Sequence, residues 1–162
     1  MKNYIIEIKW AVIFSVVILL WMLLEKISGL HSTHIDKHMY LTNLFAIPAI
    51  LIYVFALKDK KKNFYNDKIS YKQGIISGFV LSILITLISP LTQWITSYII
   101  TPEYFTNVIK YSLETGYHSS LEEAEAYFSY KNYVVQGAFG ALIMGIVTSL
   151  IVMIFLRTKK KQ

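Results

Sequence analysis

The sequence has no cysteine, so disulfides, thiolate metal sites and cysteine nucleophiles are excluded. Proline occurs three times, at Pro48, Pro90 and Pro102, and glycine seven times. No phosphate-cradling glycine loop and no His-Glu-x-x-His protease motif is present. A Ser-His-Asp set cannot be argued from scattered residues. Charge is missing where a soluble helix would need it. Residues 73–102 contain no Asp, Glu, Lys or Arg, and neither do residues 39–57 or 133–156.

What is present is apolar and clustered: 55% of the 162 residues are hydrophobic. A helix needs about 20 predominantly apolar residues to cross a hydrocarbon core of about 30 Å. The pattern predicts an all-α polytopic membrane protein, one domain over 1–162, with spans near 5–24, 39–57, 73–100 and 133–156. The uncharged part of the first, residues 11–24, makes only about 21 Å of helix. Lys9 can snorkel, and Trp10 and Trp21 can sit at interfaces. A cleaved signal peptide is disfavoured because no small-x-small site follows Leu24. Pro48 is expected to kink the second span and free a carbonyl.

Between spans three and four, residues 102–131 are too patterned for a bare loop and predict a short amphipathic helical cap. Thr101, Pro102 and Glu103 read as an N-cap, a first-turn proline and a first-turn acid. Phe105, Val108, Ile109, Ser112 and Leu113 share one face, and Gly116 suits a helix end. Ser120 with Glu123 starts a second short helix. Glu122, Glu123 and Glu125 read as a solvated helix start rather than a cation site.

The net charge of +6 is distributed around the spans. No nucleic-acid motif accompanies it, so membrane topology and lipid headgroups are the expected partners and nucleic acid is not. Twelve Lys and Arg fall on the N-terminus, the 58–72 link and the tail, against four on the other two links. The positive-inside rule then places both termini in the cytoplasm. The links Lys58–Lys72 and Arg157–Lys161 suit anionic headgroups as well.

Small residues mark where helices meet. Gly74, Gly78, Ser82 and Thr86 recur every fourth residue in the third span, and Gly137, Ala141, Gly145 and Ser149 do so in the fourth. Such ridges let backbones approach closely in lipid. They are expected to pack within the chain in preference to pairing two copies, although a homodimer or a membrane-protein partner fits the same ridges. Ser89, Gln93 and Asn43 extend a polar stripe that reads as hydrogen-bonded packing or, alternatively, as a path for a small molecule. The link at 25–38 holds His31, His34 and His38, with Glu25 nearby as a possible oxygen donor. On an unbroken helix these imidazoles would lie within about 60° of one face. Gly29 and an expected N-cap at Thr33, with Asp36 three residues on, interrupt that helix, so no metal or other cofactor is favoured there.

The motif Tyr71-Lys72-Gln73-Gly74 through Gly78, the run Ile100-Thr101-Pro102-Glu103-Tyr104-Phe105 and the glycine-rich fourth span from Gly137 resemble the domain of unknown function 4199 family, small four-span bacterial membrane proteins. Relatives often carry Asn at the position of Thr101, another capping residue. The resemblance spans nearly the whole chain. It implies the architecture and a bacterial inner membrane, and brings no catalytic residue with it. The expected function is therefore that of a non-enzymatic structural or accessory protein. The alternatives are a carrier or channel component, or a metal-assisted enzyme using His31, His34 and His38.

Overall fold

The structure, a computed structural model, describes residues 4–158. They form helix α1 (Ile5–Ile27), α2 (Ile35–Leu41), a 3-10 turn (Thr42–Phe45), α3 (Ala46–Asn63), α4 (Tyr71–Ile95), a π-helical turn (Thr96–Ile100), α5 (Tyr104–Glu114), α6 (Leu121–Tyr127) and α7 (Tyr130–Leu156). No strand occurs among the described residues. Among the described residues, four stretches are long and apolar enough to cross a membrane: Ile5–Ile27, Ile35–Asn63, Tyr71–Ile100 and Tyr130–Leu156.

Each exceeds its expected bounds because helical hydrogen bonding does not stop where the side chains become polar. The second span gains most, taking in α2 and the lysines at the end of α3. Two expected caps are corrected. Thr33 does not cap: α2 follows His34, which makes no side-chain capping bond. Thr101 does not cap α5 either. Its N–H bonds back to the Thr96 carbonyl at 2.8 Å, closing the π-helical turn, and α5 starts three residues later. Ser70, by contrast, forms a full capping box with Gln73 at the start of α4. Ser120 and Ser129 cap α6 and α7 through the N–H groups of Glu123 and Asn132.

The prolines act differently from one another. Pro48 falls in the first turn of α3, not mid-helix, and the chain before it tightens into the 3-10 turn instead of kinking an α-helix. Pro90 lies inside α4 and cannot donate to the Thr86 carbonyl four residues back. The Ser89 hydroxyl supplies that bond at 2.8 Å.

The most extensive helix contact is α4 against α7, followed by α1 against α4, with α3 touching all three. One cluster of the core joins Ala11, Phe14, Ile52, Tyr53, Leu81 and Ile85. A second, at the lysine-rich end, joins Leu57, Ile69, Val152 and Met153. At the opposite end α5 folds back onto the bundle. Tyr104, Val108 and Ser112 are buried on it, while Lys110 is exposed. Gly116, at φ +70°, closes α5 with the paired bonds of a Schellman motif. Its N–H reaches the Leu113 carbonyl, and that of Tyr117 reaches Ser112.

Candidate functional site

Helix α1 ends in the same motif. Gly29 has φ +78°, its N–H bonds to the Lys26 carbonyl and the N–H of Leu30 bonds to Glu25. This reversal turns the chain back over the last turn of α1 and sets His31 directly on Glu25. His31 Nε2 lies 3.0 Å from Glu25 Oε2. From α2, His38 Nε2 reaches the same oxygen at 3.3 Å. The other carboxylate oxygen accepts from the Trp21 indole N–H. The ligand atoms of Glu25, His31 and His38 all lie within 4.8 Å of one another, and Glu25 and His31 are buried.

Tyr104 closes this cluster. Its ring packs 5.1 Å, centroid to centroid, from each imidazole, and its hydroxyl lies 3.1 Å from that of Tyr133 and 3.4 Å from His38 Nδ1. Burial, with Tyr133 beside it, pushes the Tyr104 phenol well above the usual tyrosine range. The hydroxyl is therefore neutral, a hydrogen-bonding group and not a phenolate. Asn107 of α5 holds the His31 carbonyl at 3.0 Å. His34 is not part of the set: it is exposed, with Nδ1 3.1 Å from the Ser28 carbonyl. The triad at this end is thus Glu25, His31 and His38.

The small residues of α4 and α7 meet over part of their length. A Cβ on Gly78 would fall 2.4 Å from Ser149 Cβ, and one on Gly74 would fall within 2.7 Å of three Met153 side-chain atoms. A Cβ on Gly145 would strike the Tyr53 hydroxyl and Ser82, which are themselves hydrogen-bonded at 2.9 Å. Thr86 donates to the Ala138 carbonyl at 3.4 Å, and Ala141 packs against the core. Gly137, expected on the same ridge, has nothing within 4 Å of a built Cβ. Gly137 lies instead on a cleft of about 360 Å³ lined by residues of α1, the 3-10 turn, α3, α4 and α7.

That cleft gathers the polar stripe. Asn43, Ser89, Thr92 and Gln93 line it with Gly137 and Gly140. The hydrogen bonds that these side chains donate are local. Asn43 donates to Met39, Ser89 to Thr86, Thr92 to Ser89 and Gln93 to Ser97, all within their own helical stretch.

Sequence reasoning missed the charge cluster at the lysine-rich end. Glu7 and Lys60, both buried, pair at 2.9 Å, and Ser77 donates to Glu7 at 2.6 Å. The Lys60 ammonium also lies 4.0 Å from the Phe64 ring centroid. Lys9 pairs with Asp59 beside it, and Trp10 donates to the same carboxylate at 2.8 Å. The available signal was a glutamate among apolar residues at the start of a span, which needs a partner when buried. Lys159, Lys160 and Lys161, part of the expected headgroup-binding tail, lie outside the described residues.

Four apolar spans packed through small residues, with charge clusters confined to the two ends, define a small polytopic α-helical membrane protein. The chain belongs to the family described as Protein of unknown function (DUF4199), which matches residues 9–158. No curated protein and no solved structure matches it.

Proposed function

We propose that this is a non-enzymatic accessory protein of the bacterial inner membrane, with both termini cytoplasmic, that holds a lipid chain in the cleft lined by α1, α3, α4 and α7. The cleft carries the reading. It lies between membrane-spanning helices, its volume is within the range of about 300–1,000 Å³ usual for small-molecule sites, and Ile50 and Met144 at its rim are exposed on the lipid-facing surface. Its lining residues include no carboxylate, imidazole, ammonium or guanidinium. That favours an apolar chain over a charged substrate.

Toward the lysine-rich end the cleft is closed by tight contacts: Tyr53 against Ser82 and Gly145, then Gly78 against Ser149. This seal supports a binding role over a carrier or channel. Lys and Arg placement supports the orientation.

The test is retention of lipid. Gly140→Phe fills the cleft from a position where a Cβ meets nothing within 4 Å. Native mass spectrometry after detergent exchange should find about one phospholipid on the parent and none on the variant, with the helix content unchanged. Equal lipid on both would contradict the proposal.

A further inference from the structure

The Glu25, His31 and His38 cluster lies outside the cleft and is not explained by lipid binding. Three potential ligand atoms converge there, two imidazole Nε2 and one carboxylate oxygen, from three separate pieces of chain. Around tetrahedral zinc, ligands at about 2.0–2.1 Å from the metal stand about 3.3–3.4 Å from one another. The two histidine-to-glutamate separations here are 3.0 and 3.3 Å. Each imidazole presents Nε2 to the shared oxygen, and the backbone geometry that puts them there is fixed by the Gly29 reversal and the Asn107 bond.

A plain hydrogen-bonded cluster leaves part of this unexplained. One carboxylate oxygen can accept from the Nε2–H of both imidazoles, but among the described residues His31 Nδ1 is buried without a hydrogen-bond partner. A neutral imidazole has one donor and one acceptor, so one nitrogen of His31 is unsatisfied in any purely hydrogen-bonded arrangement.

We propose that Glu25, His31 and His38 bind one divalent first-row transition-metal ion, zinc foremost, at this end of the bundle. Two imidazoles and a carboxylate match the ligand preferences of such ions, and the fourth position is left to water. The ion clamps the last turn of α1 to the 28–34 link and to α2, and Tyr104 lies against both coordinating rings. His38 Nδ1 has the Tyr104 hydroxyl as its outer partner. His31 Nδ1 has none, so the site is weaker than one in which every imidazole is supported from behind.

The experiment uses the full chain in detergent, purified with a tag that contains no histidine and stripped with chelator. Zinc alone is the probe. The parent should take up one zinc per chain by elemental analysis, and its melting temperature should rise by about 5 °C or more at a hundredfold excess over the dissociation constant. His38→Gln, at a half-buried position, should fold and lose both effects. His31→Gln and Glu25→Gln should do the same, and His34→Gln should keep both. If the two buried-site variants fail to fold, His38→Gln against His34→Gln decides alone. A parent with no stoichiometric zinc and no thermal shift would overturn the proposal. So would a His34→Gln variant that loses as much as His38→Gln. Lipid retention in the cleft is read separately, so either proposal can fail without the other.

Discussion

Replacing Gly78 by alanine adds one methyl group where α4 meets α7. That Cβ would sit 2.0 Å from Ser149 Oγ, 2.4 Å from Ser149 Cβ and 3.7 Å from Ser149 Cα. Carbon atoms in good contact stand about 3.5–4.0 Å apart. A new Ser149 rotamer moves the hydroxyl away but leaves its Cβ in place, because the backbone fixes that atom. Relief requires the two helices to move apart by about 1 Å, which opens the contacts on either side along the ridge. Overpacking of this kind costs about 1–3 kcal/mol, or roughly 2–12 °C in melting temperature for a domain of this size. The control is the same substitution at Gly137 or Gly140, where a Cβ meets nothing within 4 Å. There alanine should be neutral or gain up to about 1 kcal/mol from helix propensity. The partner change Ser149→Gly removes the atoms at 2.0 and 2.4 Å and should restore most of the loss. The two substitutions then couple strongly in a double-mutant cycle read by thermal unfolding in detergent. A Gly78→Ala variant as stable as Gly137→Ala, or a loss that Ser149→Gly does not restore, would refute the packing of α4 on α7.

Two further outcomes are expected. Lys60→Met should destabilise by about 3–5 kcal/mol, because it leaves the Glu7 carboxylate buried against Ser77, whereas Glu7→Leu with Lys60→Met should recover most of that; equal thermal stability of single and double variants would remove the buried pair. Spin labels at Val108 and Lys110 should differ in accessibility to a water-soluble relaxant, with position 108 shielded by the bundle; equal accessibility would detach α5 from it.

The spans were legible because a membrane leaves the sequence little choice: long uncharged runs must be helical to satisfy their backbones. Their ends were less so, since Glu25 to Ile27 and Lys58 to Asn63 continue the helix after the apolar pattern stops. The ridge at spacing four identifies Gly78, Ser82, Gly145 and Ser149, which do meet, but spacing does not show where a cleft interrupts the contact, and Gly137 lines that cleft with nothing within 4 Å of a built Cβ. The approach of His31 to Glu25 was not legible for a local reason. Gly29 was read as a helix breaker, when Gly29 followed by apolar Leu30 is the pattern of a Schellman reversal, which returns His31 to Glu25. Glu7 and Lys60 are 53 residues apart in sequence, and nothing local links them.

The proposed orientation puts the lysine-rich end of the four-span bundle in the cytoplasm and its histidine end outside. The absence of cysteine makes this directly measurable, because any introduced thiol is the only one in the chain. Glu125→Cys and Lys68→Cys place single thiols at exposed positions on opposite ends. In intact spheroplasts expressing the protein, a membrane-impermeant maleimide should label position 125 and leave position 68 unlabelled until the cells are lysed. Labelling of position 68 from outside, or of both positions equally, would contradict the account.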